Sequence, residues 1–292
     1  MTSARSDGVS AHALRFRRLH LLAAVLAVSV VALAAFHTKG LHTARAAPDP
    51  LSPETTYVTP FGQHRDIALP GIVIAANTET TIHAQHSPTS VHLTLTRGEI
   101  VADASKTPSM PFVIGVDDLQ IQSSSPNTVA WARRHGDHFL TLGILSGSTH
   151  VYGHAWASRG LKLHLQAGQF ATFRRGTLPV VEHREQEELV ARTAWRAGEV
   201  RLIGDPLSEV IAEFNRYNTR QLVILDPWTA SLRPGGRFFA SQPEAFAKAL
   251  GYFGVHHSVV RTDPKDRERI LLYAARGKSR QRPAWGEARD PS

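Results

Sequence analysis

An uncharged apolar run near the N-terminus constrains this chain most, because it decides on which side of a membrane most of the residues lie. Leu19 to His37 contain no charged side chain, and one helix across a bilayer core needs about 20 such residues. Arg15, Arg17 and Arg18 directly precede the run, and positive residues beside a crossing stay in the cytoplasm. We therefore expect a cytoplasmic segment at 1–18, one transmembrane signal anchor at 19–37 and export of the remainder.

A cleaved signal peptide is the alternative to an anchor. Ala44-Arg45-Ala46 has the small-x-small pattern of a cleavage site, and Pro48 follows it. The apolar run is longer than the roughly 7–15 residues usual in signal peptides. This length favours an anchor that is not cleaved, followed by a proline-containing linker at 38–55.

The composition excludes several classes of protein. The 292 residues are 42% hydrophobic and 20% charged, which is typical of globular domains rather than of coiled coils or disordered chains. Because the chain has no cysteine, disulfide frameworks, thiolate zinc sites and iron–sulfur clusters are excluded. The net charge of +8 is partly concentrated at the two ends without aromatic–basic interleaving, so we expect no nucleic-acid partner.

A period-two alternation of apolar and polar residues dominates residues 56–175. Val91–Thr96 and Leu161–Gln166 alternate in this way, which places one set of side chains on a core and the other in solvent. Shorter candidate strands are Phe112–Val116, Phe139–Leu142 and Phe170–Phe173, separated by turn-forming residues. Many short strands without helical segments between them predict a mainly β sandwich or roll.

The pattern then changes to helical periodicity and alternates between strand and helix. Residues 176–195 are predicted to be a connector, helical over Glu185–Trp195. Residues 196–276 predict a small α+β domain with the order β-α-β-β-α-β, closed by a further strand. Its candidate strands are Glu199–Ile203, Gln221–Asp226, Arg233–Ala240, His257–Thr262 and Ile270–Ala274. A basic tail at 277–292 follows.

Two amphipathic helices are predicted to form the core of the α+β domain. In the first, Asp205 is the expected N-cap and Pro206 the first helical residue. The second is expected to begin with a capping box at Ser241–Glu244 and to end at Gly254. Their inward faces are predicted to be Leu207, Val210, Ile211, Phe214 and Tyr217 in the first helix, and Phe246, Leu250 and Phe253 in the second.

The sequence contains no recognisable catalytic motif. It lacks the G-x-S-x-G, Walker, G-x-G-x-x-G and H-E-x-x-H patterns. His135 and His138 fall in an expected hairpin turn, and Asp117-Asp118 in another, so a metal site or a catalytic carboxylate pair is the less favoured interpretation of each. Most other histidines occupy polar positions of alternating strands. We therefore expect no catalytic, cofactor or metal site, no cofactor and no enzymatic activity, with an exported hydrolase as a remote alternative.

An ordered series of short motifs gives a resemblance to a known family. The motifs are Gly62–Arg65 with Leu69–Gly71, Leu95–Glu99 as an L-x-x-G-E turn, Pro111–Val113, Gly143–Gly147, Leu165–Gln169, Trp195–Glu199, Asp205–Leu207 with Glu213–Tyr217, and Arg233–Phe238. Together they resemble the FecR family of membrane regulators, which are paired with extracytoplasmic-function sigma factors. Two segments depart from the family pattern, Pro70–Val73 and Ser125–Trp131, and the cytoplasmic segment is far shorter than the usual anti-sigma domain.

The resemblance implies an architecture and a set of partners. Residues 56–175 would be the FecR-like β domain, and 196–276 would be similar to the short N-terminal domain of secretins and TonB-dependent receptors. The protein would lie in the inner membrane with its bulk in the periplasm. It would sense the periplasmic signalling domain of a TonB-dependent receptor and regulate a sigma factor for iron or other nutrient uptake. The alternative is an envelope-binding module with no cytoplasmic output.

Overall fold

The computed structural model describes residues 51–105, 110–137, 139–153, 160–261 and 268–274. Strands account for 52% of these residues, so the prediction of a β-rich chain with few helices is confirmed. The predicted segments 1–18, 19–37 and 277–292 lie outside the described residues. Among the helices that are described, none is long and apolar enough to cross a membrane.

Thirteen strands form the β-rich part of the described chain. They are β1 (Thr55–Val58), β2 (Arg65–Leu69), β3 (Ile72–Ala76), β4 (Thr81–His86), β5 (Val91–Asp103), β6 (Phe112–Val116), β7 (Leu119–Ser123), β8 (Val129–His135), β9 (Phe139–Ser146), β10 (Ser148–Gly153), β11 (Leu161–Gln166), β12 (Gln169–Arg174) and β13 (Val180–His183). The main path through the sheet is β11-β10-β7-β6-β5-β8-β9-β12-β13, with β4 and β3 also paired to β5. All five strands predicted here are present.

Strand β5 belongs to both halves of this curled sheet, the half that contains β4 and β6 and the half that contains β8. Its first residues pair with β4 and, in parallel, with β6, whereas Gly98–Asp103 pair antiparallel with β8. Gly98 has φ +91° at the change of partner, a value that glycine adopts at no steric cost. The predicted turn at Leu95–Glu99 is therefore wrong, because the glycine bends the strand here without ending it.

Replacing Gly98 with alanine is expected to destabilise the sheet at this bend. The new Cβ would lie 2.3 Å from Thr80 Oγ1 and 2.6 Å from Thr80 Cα. We expect a loss of about 2–3 kcal/mol in unfolding free energy, from the positive φ and the contact with backbone, measured by urea unfolding. Gly136→Ala is the matched control, since Gly136 also has a positive φ but nothing within 4 Å. Equal losses in the two variants would refute the role of the Thr80 contact.

The two halves of the sheet share one apolar core. Its largest fully buried side chains include Phe112, Phe173, Ile72 and Leu95. Alternate residues of the strands supply this core, as the period-two pattern predicted. In β7, for example, Leu119 and Ile121 are buried, while the residues between and after them face outward.

The C-terminal part of the described chain forms a second core. A short helix, α1 (Gln186–Arg192), and a 3-10 helix (Ala194–Ala197) lead into it. Its elements are β14 (Glu199–Ile203), α2 (Leu207–Asn215), β15 (Gln221–Ile224), α3 (Pro227–Ser231), β16 (Gly235–Phe239), α4 (Pro243–Ala249) with a 3-10 turn (Leu250–Phe253), β17 (Val255–Arg261) and β18 (Glu268–Ala274). Strands β14 and β16 form one ladder, and β15-β18-β17 form a second. The predicted elements are present, and α3 is an addition. The domain boundaries themselves remain predictions.

The predicted helix starts are corrected by the structure. Pro206 is the N-cap of α2 and Asp205 does not cap it; instead Asp205 Oδ1 lies 3.1 Å from Arg192 Nη2. The capping box is also absent, because α4 begins at Pro243 after Gln242 and Glu244 forms an ion pair with Arg220. Phe253 is 39% exposed, so its predicted inward position is wrong. Gly254 ends the second helical segment in the left-handed conformation, as predicted.

Candidate functional site

A buried carboxylate, Glu99, lies where the β-rich part meets the C-terminal part. It follows the bend at Gly98 in β5, and the residue is 1% exposed. Glu99 Oε1 accepts a hydrogen bond from Trp131 Nε1 at 2.7 Å, and Oε2 accepts from Asn77 Nδ2 at 2.9 Å. Oε2 also accepts from Arg216 Nη1 at 2.6 Å. Three donors therefore surround this carboxylate, as a buried charge requires.

A second carboxylate, Glu213, comes from the opposite side of this contact. It lies on the last turn of α2 and accepts hydrogen bonds from Arg133 Nη1 at 2.9 Å and Arg216 Nη1 at 2.7 Å. The hydroxyl of Tyr217 donates to it at 3.1 Å. Arg133 belongs to β8, and its Nε lies 4.0 Å from Glu99 Oε2. Two carboxylates and two guanidinium groups thus form one charge-balanced cluster.

We call Glu99, Arg133, Glu213, Arg216 and Tyr217 the charge cluster. Burial alone would raise the pKa of Glu213, but Arg133 and Arg216 hold that pKa below its usual value. Burial and the two carboxylates raise the pKa of Tyr217 well above its usual value. Burial opposes the charge of Arg216, yet Glu99 and Glu213 raise its pKa. The Glu213 carboxylate and the Arg216 guanidinium group therefore stay ionised, and the Tyr217 phenol stays protonated.

The end of α2 is held in place by backbone contacts around the cluster. Asn215 exchanges two hydrogen bonds with the backbone of Leu222 in β15, at 2.9 and 2.8 Å. Thr78 Oγ1 donates to the carbonyl oxygen of Arg216 at 3.2 Å. Asn77 Nδ2 donates to the hydroxyl of Tyr217 at 2.8 Å. Side chains of the loop after β3 therefore hold the end of α2 by hydrogen bonds, in addition to the ion pairs of the charge cluster.

An apolar seam continues this contact. Trp131 of β8 and Trp195 of the 3-10 helix are each 3% exposed and belong to one buried cluster with Ala75, Val101 and Val129. Phe170 lies against Trp131, with ring centroids 5.3 Å apart. Because Trp131 belongs to the sheet and Trp195 to the 3-10 helix that leads into the C-terminal core, this cluster lies at the junction between the β-rich and C-terminal parts.

A cavity of about 250 Å³ opens beside the charge cluster. Arg133, Glu213 and Trp131 form part of its wall, so the cavity and the cluster share residues. His135 also lines it, with Nε2 3.1 Å from Thr141 Oγ1. Desolvation of the ring, with Arg133 and Arg216 nearby, lowers the pKa of His135 to about 4. The imidazole is therefore neutral at pH 7.

The other residues considered from sequence occupy turns and outer strand faces. Asp117 lies in the two-residue turn between β6 and β7 with φ 54°, and its carboxylate pairs with Arg134 at 2.8 Å and with Arg175 at 3.2 Å. His135 ends β8, and His138 is outside the described residues. Within the described part of the chain, no group of three or more His, Cys, Asp or Glu side chains is arranged to hold a metal ion.

The charge cluster was not identified as a site from sequence. Glu99 and Arg216 are 117 residues apart, and no local pattern links them. Tyr217 was expected on the inward face of the first helix, but it lies just beyond α2, with its ring partly buried and its hydroxyl in the cluster. The only sequence signal was indirect: Glu99 and Glu213–Tyr217 fall in two of the motifs that carry the family resemblance.

The described fold also occurs in a protein of known structure. Two crystal structures of a candidate anti-sigma factor from Parabacteroides distasonis, at 2.50 and 1.65 Å resolution, match with a TM-score of 0.56 and 16% identity. This chain has that protein's fold. The match covers 76% of this chain and 99% of that chain, so the likeness includes most of the described structure. No protein-family model and no curated protein matches the sequence.

Proposed function

We propose that the chain is a FecR-type regulator of an extracytoplasmic-function sigma factor. The observation that carries this proposal is the fold shared with a candidate anti-sigma factor over 76% of the chain. In the proposed arrangement, the anchor at 19–37 spans the inner membrane and the β-rich and α+β parts are periplasmic. Their partner would be the periplasmic signalling domain of a TonB-dependent receptor for iron or another nutrient.

The charge cluster supports a regulatory role rather than a catalytic one. Each of its carboxylates accepts three hydrogen bonds from other groups of the protein, so their oxygens are occupied in holding the two parts of the chain together. Hydrogen-bond and ion-pair networks that have two discrete arrangements can carry a signal between two parts of a protein. A partner that pulls α2 away from Glu99 would break the network in one step.

The proposed topology predicts the outcome of a reporter fusion. Alkaline phosphatase fused after Gly40 should be active, because Arg15, Arg17 and Arg18 keep the N-terminus in the cytoplasm. The matched control replaces these three arginines with glutamates, which should lower the phosphatase activity of the fusion. N-terminal sequencing of the mature protein should return the original N-terminus, and a chain that begins at Ala47 would contradict the anchor.

The regulatory proposal is tested through the sigma factor encoded nearest to the gene. We expect it to co-purify with the full chain and to be lost from a chain that lacks residues 2–14, since residues 1–18 would face the cytoplasm. A promoter reporter for this sigma factor should also respond to Glu99→Gln, which breaks the charge cluster. The matched control is Glu79→Gln, which removes an exposed ion pair to Arg97 and should leave the reporter unchanged.

One combination of results would overturn this proposal. If the sigma factor is not retained by either chain, and the reporter also ignores deletion of residues 196–292, the protein does not regulate that factor. The envelope-binding alternative would then take its place.

A further inference from the structure

Two histidines lie opposite each other on the outer face of the sheet, outside the charge cluster. In the antiparallel ladder of β10 and β11, His150 pairs with His164. The next residues along the two strands, Val151 and Leu165, are buried in the core of the sheet, so both imidazoles point to the outer face. Because opposite residues of an antiparallel pair have Cβ atoms about 4.5–5.5 Å apart, the two side chains are direct neighbours.

The two imidazole rings are close enough to share one ligand. Their centroids are 4.7 Å apart, with an interplanar angle of 26°. Two imidazoles that bind one metal ion at the usual nitrogen–metal distance of about 2.0–2.1 Å have ring centres about 4.5–5 Å apart. The backbone therefore already holds the rings at the separation that a shared ion requires. Rotation of each ring about its χ2 bond then directs one nitrogen from each ring at the ion.

The ring nitrogens of this pair are accessible and have no competing partner. His164 is exposed and His150 is half-buried. Within the described part of the chain, neither side chain forms a hydrogen bond or an ion pair, and the nitrogens of His150 are not among the enclosed polar atoms. By contrast, Nδ1 of His83 on the same sheet lies 2.9 Å from Thr56 Oγ1. The nitrogens of His150 and His164 can therefore bind a ligand without breaking an existing contact.

We propose that His150 and His164 bind one divalent transition-metal ion on this face. Neutral imidazole is the commonest metal ligand among side chains, and it suits Zn²⁺, Cu²⁺ and Ni²⁺. The exposed Gln122 of β7 lies opposite His150 on its other side, so an amide oxygen is available as a third ligand, with water completing the coordination. This site corrects the expectation of no metal site that was drawn from the sequence.

A bound ion would join β11 to its neighbour. Strand β11 is the last strand on the main path of the sheet, and it pairs with β10. An ion that needs both histidines binds only while the two strands are paired, so it stabilises the folded sheet by mass action. The concentration of the metal would therefore act on the stability of this end of the sheet. This effect goes beyond the proposed sigma-factor regulation and does not depend on it.

Metal binding is tested on the purified full chain in non-ionic detergent, with an affinity tag that contains no histidine. Calorimetric titration should give one tight site per chain, strongest for Cu²⁺ and weaker for Ni²⁺ and Zn²⁺, as the Irving–Williams order requires, together with a rise in Tm. Mg²⁺ and Ca²⁺ prefer oxygen ligands and should give no such site. The absence of a tight site for all three transition metals, or equal binding of Mg²⁺, would overturn the proposal.

Substitution of each histidine distinguishes one shared ion from two separate ones. His150→Asn and His164→Asn should each lower the affinity of the tight site by about tenfold or more, because the second imidazole no longer binds intramolecularly. The double variant should bind little more weakly than either single variant. The matched control replaces His256 and His257, which are both exposed but adjacent on β17 and so point to opposite faces. This control should keep the tight site.

A result in which each single variant keeps a tight site, or loses only half of the bound metal, would show that the histidines do not share an ion. A second measurement needs no variant and keeps the test decisive if a variant does not fold. The electron paramagnetic resonance spectrum of the parent chain with one equivalent of Cu²⁺ should show two bound imidazole nitrogens, and a single nitrogen would refute the shared site. Because no sigma factor is present, these failures are distinct from failure of the regulatory proposal.

Discussion

A Glu99→Gln chain is expected to lose about 3–5 kcal/mol of unfolding free energy, the range for removing one partner of a buried ion pair. The substitution keeps the shape of the side chain but deletes its charge. Arg216 would then share the single carboxylate of Glu213 with Arg133. The NH2 group of the new amide would also face at least one N–H donor of Asn77, Trp131 or Arg216, because all three donate to this carboxylate. Two donors facing each other cannot form a hydrogen bond.

Equilibrium urea unfolding measures this loss, and hydrogen exchange locates it. We expect the amides of α2 and of the loop after β3 to lose protection first, since they meet at the charge cluster. Glu79→Gln is the matched control: the Glu79–Arg97 pair is largely exposed, and such pairs contribute less than about 1 kcal/mol. If the two variants unfold at the same urea concentration, Glu99 does not hold the junction.

Periodicity predicted the elements well, because it is a local property of the chain. The inward positions Leu207, Val210, Ile211 and Phe214 of α2 are all buried. Alternation likewise placed the core side of the strands correctly. Both patterns depend only on which face of an element is covered, so they do not require knowledge of the partner element.

Helix starts were predicted less well, because they depend on distant charges. The Asp-Pro pair occurs twice among the described residues of the C-terminal part. At Asp226-Pro227 the carboxylate caps α3 by accepting from the backbone N–H of Thr229 at 2.9 Å, and this helix was missed. At Asp205-Pro206 the same pair does not cap the helix, since the Asp205 carboxylate forms an ion pair with Arg192 instead. The two sites share the Asp-Pro pair but have different long-range partners.

The charge cluster shows the same limit more strongly. Glu99 was interpreted as part of a turn because Leu95–Glu99 resembles the family's L-x-x-G-E motif, and only the folded sheet shows that Gly98 bends a continuous strand. Its burial depends on Arg133, Glu213 and Arg216, which come from other elements. A charged residue in a predicted strand is normally assigned to the side that faces solvent. The sequence alone therefore did not distinguish the buried Glu99 from the partly exposed Glu79.

Phe214→Ala is expected to cost about 3–5 kcal/mol, the range for truncating a phenylalanine in a packed core. Phe214 and Phe246 are each 0% exposed, and their rings stack with centroids 4.3 Å apart and an interplanar angle of 8°. Phe238 adds an edge contact to Phe246 at 4.9 Å. Alanine at position 214 would open a cavity between α2, α4 and β16, which this small core has few other side chains to fill.

Urea unfolding of the full chain measures this cost, with hydrogen exchange of β17 and β18 as the local readout. Phe239→Ala is the matched control, because Phe239 is the next residue on β16 after Phe238 but is 55% exposed; we expect its loss to stay below about 1 kcal/mol, as for most surface changes. Loss of protection should be confined to the C-terminal part if its core is independent of the sheet. Equal stability of Phe214→Ala and the parent chain would contradict the placement of α2 against α4, and with it the position from which Glu213 and Arg216 reach Glu99.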